Sequence, residues 1–361
     1  MSAKEKPEKA EKAEKPEKLT AKQKRRADMR GVGGLAGCAM EHSKYCDLGD
    51  FFDLQIPILN LAASGSLRKG MYKKSVLMIA APPKHFKTSF MAQIMYAFQQ
   101  AYEDAYIPFY DCEGGSSKDR YKGKGIDTTN VLEHIPFATI DSLRNSMVQK
   151  MELHDPDEDS TLFCVDSLGA ATTGKQLEDA RKGENKVDMQ RAKTIRDFCR
   201  TVGRMAFLKR LPMCIVNHTY QSQSFIPEEI PVGGSGASYE CDNVWMITKA
   251  QEKDSKKETI GYTFTVGIKF SRYVREKSKF PVIVTYDDGV HYWSGLPELG
   301  IELNFITSIV GSKGKYKFRK DTSEDVFSMD ELLDGAVGKM QTFLLDDEEF
   351  HLAVEKKYQL V

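Results

Sequence analysis

Hydrophobic and polar positions follow two alternating patterns between residues 75 and 299 of this 361-residue chain. Short unbroken apolar runs predict buried strands, and the longer stretches between them repeat their apolar residues with helical spacing. This alternation predicts an α/β fold in which helices cover a largely parallel sheet. The predicted strands are 76–80, 107–110, 130–135, 161–165 and 213–216, and the predicted helices include 90–102, 139–153 and 189–209.

Two further segments, 263–270 and 282–286, are rich in β-branched and aromatic residues. Such composition is typical of strands, and we predict that the two segments form a hairpin that extends the sheet. In sheets of this kind, ligands bind beyond the carboxyl ends of the parallel strands. We therefore expect functional side chains at that edge.

Composition divides the rest of the chain. Residues 1–28 are a low-complexity mixture of Lys, Glu, Ala and Pro, which buries too little apolar surface to offset the entropy of ordering. We predict a disordered tail over 1–28, parts of which could be helical because Glu and Lys recur at helix-compatible spacing, and an N-terminal oligomerisation or linker segment over 29–72. The α/β core is predicted over 73–300, and a C-terminal subdomain over 301–361.

Charge and cysteine content narrow the function classes. Lys plus Arg and Asp plus Glu both number 52, so contacts with nucleic acid must come from local clusters. Seven cysteines without a Cys-x-x-Cys pair argue against a disulfide framework and for a reducing compartment. Without an apolar run long enough to span a membrane, the sequence indicates a cytoplasmic protein with no membrane partner.

The stretch 75–90, SVLMIAAPPKHFKTSF, carries the first chemical signal. An apolar strand breaks at two prolines, and Lys87 and Thr88 follow beside the next predicted helix. A helix N-terminus binds anions, a lysine there reaches terminal phosphates, and a threonine hydroxyl binds Mg²⁺. Phosphate-binding loops usually have glycine where this chain has Ala81 and Phe86. The alternative is a buried strand that simply runs into an amphipathic helix.

Polar side chains also follow three of the predicted strands. They are Asp111, Cys112 and Glu113 after the second strand, Asp166 and Ser167 after the fourth, and Asn217 and His218 after the fifth. At such positions a carboxylate can polarise an attacking water or support Mg²⁺, and a polar pair can sense a terminal phosphate. The alternatives are a surface turn, a helix N-cap and a structural histidine, respectively.

Two polar segments have the composition of mobile binding loops. Residues 176–188 include Arg181, Lys182 and Lys186, and residues 219–238 include Tyr220, Phe225, Gly233, Gly234 and Gly236. Aromatic rings stack on unpaired bases and basic side chains neutralise phosphates, so both segments are candidates for binding single-stranded DNA. The alternative for 219–238 is a disordered surface excursion.

In their order along the chain, these motifs resemble those of the RecA-type recombinases, most closely the strand-exchange recombinases of tailed phages. The resemblance covers roughly 51–306. It includes a Pro-x-Lys-x-Phe-Lys phosphate loop, His218 where bacterial RecA has glutamine, VREKSKF at 274–280 and YWSGL at 292–296. It implies a RecA-type P-loop ATPase core with a mostly parallel central sheet, flanking helices and small N-terminal and C-terminal extensions.

The resemblance also implies ATP and Mg²⁺ as cofactors. The nucleotide would be bound by Ala81, Pro82, Pro83, Lys84, His85, Phe86, Lys87, Thr88 and Ser89. Lys87 would contact the β- and γ-phosphates, and Thr88 with Asp166 would hold the metal. Glu113 would orient the attacking water. His218 would contact the γ-phosphate and pass its presence to the adjoining DNA loop.

Several positions depart from the family pattern. Arg120 stands where a tyrosine usually stacks on adenine, with Tyr121 beside it, and either is a candidate to cover the base. Arg272 matches a basic residue that reaches the ATP of the neighbouring subunit. Phe270 replaces a second such cation, so either Lys269 would have to serve or this contact is lost. We expect Phe86 to have a negative φ and a ring that faces away from phosphate.

The function implied is that of an ATP-dependent recombinase that forms helical filaments on single-stranded DNA and catalyses homologous pairing and strand exchange. Double-stranded DNA, a recombination mediator and a single-strand-binding protein would be its partners, in the host cytoplasm. Two alternatives remain. One is the core of a RecA-like hexameric translocase or helicase, and the other is a catalytically weak module that coats DNA.

Overall fold

The computed structural model describes residues 20–30, 37–183, 190–222, 225, 227–253, 259–285 and 289–360. The chain divides into two units, Met1–Asp47 and Leu48–Val361. All seven cysteines are free. None of the helices in the described ranges combines the length and the apolar composition that a membrane crossing requires.

The first unit contains helix α1 (Ala21–Arg30) and a 3₁₀ turn at Met40–His42. Every side chain of α1 is exposed, so its helical state depends on good helix formers and on a cap. The hydroxyl of Thr20 accepts from the N–H of Gln23 at 3.3 Å and supplies that cap. Residues 21–28 of the predicted tail are thus helical, the alternative that the spacing of Glu and Lys left open for parts of it, and residues 1–19 lie outside the described ranges.

The second unit is built around a ten-stranded sheet, with two small two-stranded sheets beside it. The strands are β1 (Phe51–Phe52), β2 (Met71–Tyr72), β3 (Val76–Ala81), β4 (Ile107–Asp111), β5 (Leu132–Pro136), β6 (Phe163–Asp166), β7 (Met213–Gln221), β8 (Glu229–Pro231), β9 (Asn243–Lys253), β10 (Thr259–Ser271), β11 (Lys279–Thr285), β12 (Gly289–Val290), β13 (Ile306–Ser308) and β14 (Tyr316–Phe318).

The large sheet has the order β12-β11-β10-β9-β3-β7-β6-β4-β5, and β8 pairs with β7 outside this path. All pairs from β9 to β5 are parallel, whereas β9 to β12 form an antiparallel extension. The remaining helices are α2 (Pro57–Ser64), α3 (Lys87–Ala101), α4 (Lys118–Gly123), α5 (Ile140–Leu153), α6 (Gly174–Arg181), α7 (Arg191–Lys209), α8 (Gly234–Ser238), α9 (Leu296–Glu302), α10 (Met329–Leu333) and α11 (Glu348–Tyr358).

Strand β3 shows why both faces of the sheet are covered. All six of its residues are buried, and successive side chains point to opposite faces. Leu77 and Ile79 belong to one apolar cluster with the residues of α3, whereas Met78 and Ala80 belong to a second cluster with α5 and α7. The continuous apolar run of β3 is therefore that of a strand buried between two helical layers.

Segments before and after the predicted core join the first of these clusters. Phe52 and Leu61 come from the N-terminal side, and Phe350 and Tyr358 come from α11. Several basic side chains after β13 are paired with acidic ones; Lys320, for example, lies 2.5 Å from Asp347. The predicted domain boundaries at 72 and 300 remain predictions.

The predicted α/β fold with a largely parallel sheet is confirmed, and all five predicted parallel strands and the hairpin are present. Strand β9, which lies between β3 and β10, was not among the predicted strands. Only its first half pairs with β3, and Thr248 to Lys253 pair with β10 alone. Residues 244–247 form an apolar run as short as the one that predicts β7, whereas residues 248–251 are exposed, so only half of this strand carries the pattern of a buried strand.

Candidate active site

The carboxyl ends of β3, β4, β6 and β7 meet at one edge of the sheet, because these neighbours pair in parallel. The segments that follow these strands line one open cleft of about 410 Å³. Its lining residues are Pro83, Lys84, His85, Phe86, Lys87, Thr88, Glu113, Arg120, Asp166 and His218. Four separate strand ends therefore contribute the predicted lysine, carboxylates and histidine to a single place.

Phe86 occupies a glycine position of the phosphate loop and has the left-handed conformation, with φ of 63°. The expectation of a negative φ is wrong. This conformation costs a residue with a Cβ roughly 1–2 kcal/mol, which is why glycine is usual there. The ring stacks on Phe264 at a centroid distance of 5.0 Å and meets Phe90 edge-on at 5.7 Å. Aromatic packing against the core thus offsets the backbone strain.

Replacement of Phe86 separates these two effects. We expect Phe86→Ala to lower the free energy of unfolding by about 2–3 kcal/mol, because it removes the ring and keeps the strain. Phe86→Gly is expected to be more stable than Phe86→Ala by about 1 kcal/mol, since glycine tolerates the positive φ. Urea unfolding measures both. Gln100, within α3, is the control position: there the alanine variant should be more stable than the glycine variant. An alanine variant more stable than the glycine variant at position 86 would contradict the positive φ of Phe86.

Lys87 is the first residue of α3, where the N–H groups of the first turn lack intrahelical partners. Its Nζ donates to the carbonyl of Pro82 at 2.9 Å and lies 3.5 Å from Nδ1 of His218. Only 6% of the residue is exposed. Burial lowers the pKa of its ammonium group, although the charges of Glu113 and Asp166 oppose the shift. A buried cation at a helix N-terminus is well suited to a polyanionic ligand.

Thr88 and Asp166 form the candidate metal site. The Thr88 hydroxyl donates to Oδ2 of Asp166 at 2.6 Å. Burial raises the pKa of Asp166 to about 6, and the charge of Glu113 adds to the shift. Its other oxygen, Oδ1, is buried without a hydrogen-bond partner among the described residues. Hydroxyl and carboxylate oxygens are ligands that Mg²⁺ prefers, so these residues fit the metal implied by the family resemblance.

Glu113 is held at both its side chain and its backbone. Its Oε1 accepts from the hydroxyl of Ser167 and lies 2.8 Å from Nε2 of His218. Its N–H donates to Oδ1 of Asp111 at 2.9 Å. With 37% of the side chain exposed, the carboxylate faces the cleft while its position is fixed.

His218 connects the cleft to the segment after β7. Its carbonyl accepts from the N–H of Val232 at 2.9 Å. Its N–H donates to Oδ1 of Asn217 at 2.9 Å, and the amide of the fully buried Asn217 donates to the carbonyl of Val232 at 2.9 Å. A displacement of His218 would therefore act directly on the base of the second predicted DNA loop.

The two candidates for covering the base lie in different places. Arg120 lines the cleft, and its Nη2 donates to the hydroxyl of Ser89 at 2.6 Å. Tyr121 is 3% exposed and packs edge-on against Phe109 with ring centroids 5.6 Å apart. Tyr121 is thus a core residue, and Arg120 is the candidate that the structure places at the cleft.

Arg272 lies at the opposite edge of the sheet from the cleft. Its Nε lies 3.1 Å from Oδ1 of Asp242, whose Oδ2 accepts from the N–H of Val76 at 2.9 Å. Val76 begins β3, whereas the phosphate loop follows the end of that strand. Arg272 therefore does not reach the cleft of its own chain, so any contact it makes with ATP requires a second subunit.

The two positions before Arg272 also have partners within the chain. The Lys269 ammonium donates to the carbonyl of Glu229 in β8 at 3.2 Å. Phe270 packs edge-on against Tyr239 with ring centroids 5.9 Å apart. Lys269 thus contacts the base of the second predicted DNA loop in its own chain.

The first predicted DNA loop begins with a helix rather than a loop. Residues 174–181 form α6, because Thr173 and Gln176 make a capping box. Arg181 ends this helix, and Lys182, just after it, lies 2.5 Å from Glu178. The prediction of a loop is wrong over 176–181, and Lys186 lies outside the described residues.

The second predicted DNA loop is shorter than 219–238. Tyr220 near the end of β7 is 48% exposed, and Phe225 is fully exposed. Gly233 has a φ of 93°, and a Cβ there would lie 2.4 Å from Ile195; one at Gly236 would lie 2.7 Å from Arg196. Gly233 and Gly236 therefore let α8 pack closely against α7, whereas Gly234 meets the need for a φ of 72°. Residues 234–238 are helical in this structure, and the expectation that the glycines permit reshaping stays a prediction.

Two side chains without a predicted role of their own, Ser167 and Arg191, shape the site. Ser167, joined to Asp166 by a cis peptide bond, donates to Glu113. Arg191 donates from Nη2 to the carbonyls of Gly169 at 2.7 Å and Ala171 at 3.1 Å. The position of Ser167 directly after a strand-ending carboxylate signals it, whereas nothing in the sequence signals the contacts of Arg191.

A "Recombination and repair protein" of Enterobacteria phage T4 is 31% identical to this chain over 321 residues. The match covers 88% of this chain and 81% of the phage T4 protein. No protein-family model matches the chain. The similarity thus extends over most of both chains rather than over one shared motif.

Proposed function

Because this chain belongs to the UvsX-type recombinases of phages, the family of the T4 recombination and repair protein, we propose that it is an ATP-dependent recombinase. It binds ATP with Mg²⁺, hydrolyses ATP, and forms helical filaments on single-stranded DNA. In the filament it pairs that strand with homologous double-stranded DNA and exchanges the strands. The proposal extends to a recombination mediator and a single-strand-binding protein as partners in the host cytoplasm.

One observation carries this proposal. Lys87, Thr88, Glu113, Asp166 and His218 line one cleft at the carboxyl edge of the sheet, although they come from four different strand ends. This is the edge at which open α/β sheets bind ligands. A buried cation, a candidate metal site and a positioned carboxylate are the parts that phosphoryl transfer to water requires.

Each side chain has a distinct part in hydrolysis. The ammonium group of Lys87 neutralises charge on the terminal phosphates, for which its buried position at a helix N-terminus suits it. Glu113 orients the attacking water and accepts its proton. Thr88 and Asp166 hold Mg²⁺, which when bound neutralises charge that develops on the phosphate oxygens.

His218 links the nucleotide to DNA. In the structure its two ring nitrogens face Lys87 and Glu113, and its backbone bonds to Val232. A γ-phosphate accepts hydrogen bonds and competes with Glu113 for the N–H at Nε2, so ATP binding draws His218 away from Glu113. This movement changes the base of the segment that bears Tyr220 and Phe225, and hydrolysis reverses it.

A second subunit completes the site. The Arg272 side chain is 60% exposed, and Asp242 holds it at Nε, so the terminal guanidinium nitrogens can reach the ATP of a neighbour. A cation supplied in this way stabilises the charge of the transition state. Because ATP lies between subunits, its binding strengthens the filament. Each chain has zero net charge and contacts DNA weakly, but these contacts add up along the filament.

Imaging combined with an ATPase assay tests the proposal. With ATP and Mg²⁺ we expect helical filaments on single-stranded DNA and DNA-stimulated release of phosphate, whereas with ADP the filaments should be few. Closed rings in place of helices would favour a hexameric translocase. Filaments without hydrolysis on any single-stranded DNA would favour a module that only coats DNA.

Aromatic stacking gives a separate prediction for the DNA contact. We expect Tyr220→Ala and Phe225→Ala each to weaken binding of single-stranded DNA in the presence of ATP by about 1–3 kcal/mol for each base that loses its ring. Fluorescence anisotropy with a labelled oligonucleotide measures the change. Tyr292→Ala, at a comparably exposed ring outside both segments, is the control. Unchanged affinity in both loop variants would remove these rings from the interface.

A further inference from the structure

We propose that Asp111 is a positioning residue for Glu113, with His134 as its partner; this inference rests on the proposed ATPase function. Asp111 ends β4, and 2% of its side chain is exposed. Its Oδ1 accepts from the N–H of Glu113 at 2.9 Å and from the N–H of Gly114 at 3.0 Å. Its Oδ2 lies 3.3 Å from Nε2 of His134. One carboxylate thereby joins a strand end, the Glu113 backbone and the neighbouring strand β5.

We call the two bonds from the N–H groups of Glu113 and Gly114 to Asp111 the clamp. The segment that follows Glu113 explains why Glu113 needs it. Gly114 has a φ of 65°, Gly115 comes next, and a Cβ at either position would meet nothing within 4 Å. The segment is therefore neither packed by side chains nor restricted by backbone sterics. The two N–H bonds to Asp111 fix the direction in which Glu113 leaves the sheet.

The side-chain contacts of Glu113 cannot replace this clamp during the reaction. One of the two is with His218, the residue that a γ-phosphate engages in the proposed mechanism. When ATP binds, Glu113 loses that contact at the moment when its position matters. The bonds from Asp111 reach the backbone and do not compete with the nucleotide, so they persist.

Asp111 acts through Glu113 rather than on ATP, because its side chain does not line the cleft. His134 is 54% exposed and reaches Asp111 from the far side of β4. It holds Oδ2 and thereby leaves Oδ1 aimed at the two N–H groups. A small displacement of a catalytic group lowers rates steeply, so loss of this clamp is expected to act on kcat.

The test compares three substitutions in the full-length protein on single-stranded DNA. We expect Asp111→Ala to lower kcat for ATP hydrolysis by about tenfold or more while KM for ATP changes less than about twofold. Asp111→Asn keeps an oxygen that accepts from both N–H groups, so kcat should stay within about threefold of wild type. His134→Gln, which keeps a donor, should resemble Asp111→Asn.

Asp127 provides a matched control. Its Oδ1 accepts from the N–H groups of Thr129 at 2.7 Å and Asn130 at 3.1 Å, the same turn geometry at a surface loop away from the cleft. Asp127→Ala should leave both kcat and KM at wild-type values. If Asp111→Ala does not fold, Asp111→Ser keeps one acceptor on a shorter side chain and should still lower kcat by more than Asp111→Asn.

Amide hydrogen exchange supplies a readout that does not depend on hydrolysis. The amides of Glu113 and Gly114 should exchange faster in Asp111→Ala than in wild type and at the wild-type rate in Asp111→Asn. Wild-type kcat and unchanged exchange in a folded Asp111→Ala protein would overturn the inference. A wild-type protein that hydrolyses no ATP would instead refute the proposed function, and the exchange rates would still decide whether Asp111 holds the Glu113 backbone.

Discussion

Replacement of Lys87 by alanine is expected to lower kcat/KM for ATP by about 10²–10³-fold or more, the loss typical when one preorganised charge donor is removed from a transition state. The side chain is buried at the start of α3, and its Nζ reaches both Pro82 and His218. Of the lysines and arginines that line the cleft, Lys84 and Arg120 are exposed and Lys87 is buried. Steady-state phosphate release with saturating single-stranded DNA measures the effect.

The same variant should also fail to assemble. Because ATP strengthens the contact between subunits in the proposed filament, loss of ATP binding should remove filaments as well as turnover. Lys356→Ala, at an exposed position of α11, is the control and should behave as wild type. If Lys87→Ala retains more than about a tenth of wild-type kcat/KM, then the phosphates are not bound at this loop.

The positions of the principal site residues could be predicted from short stretches of sequence. Glu113, Asp166 and His218 each follow an apolar run at or near a strand end, and Lys87 begins a helix after such a strand. Parallel pairing then places all four at one edge, so local patterns together with one topological rule suffice. Their convergence in one cleft needed no knowledge of long-range contacts.

Features that depend on contacts between distant segments could not be predicted. Phe86 tolerates a positive φ because its ring meets Phe264, which is far along the chain. Gly233 is required by its close approach to Ile195 on another helix. Neighbouring residues on a helix point about 100° apart, so the difference between Arg120 at the cleft and Tyr121 in the core depends on how α4 is rotated. The amino-acid composition of α4 does not determine that rotation.

Glu113→Gln is expected to lower kcat by about 10²–10⁴-fold, because the amide cannot accept the proton of the attacking water. Glutamine has nearly the same shape, and its oxygen can still accept from Ser167 and His218, the two contacts made by Oε1 in the structure. ATP binding should therefore change little. Single-turnover hydrolysis measures the chemical step, and binding of a fluorescent ATP analogue measures affinity.

Loss of hydrolysis with retained binding should also prolong the life of the filament, since release of DNA follows from loss of the γ-phosphate contact at His218. Filaments of Glu113→Gln formed with ATP should therefore outlast those of wild type after dilution, whereas Lys87→Ala should form none. Glu158→Gln, on an exposed acidic loop, is the control for loss of one negative charge. If Glu113→Gln hydrolyses ATP at the wild-type rate, then another residue orients the attacking water. If its filaments are short-lived although ATP is not hydrolysed, then DNA release does not depend on hydrolysis.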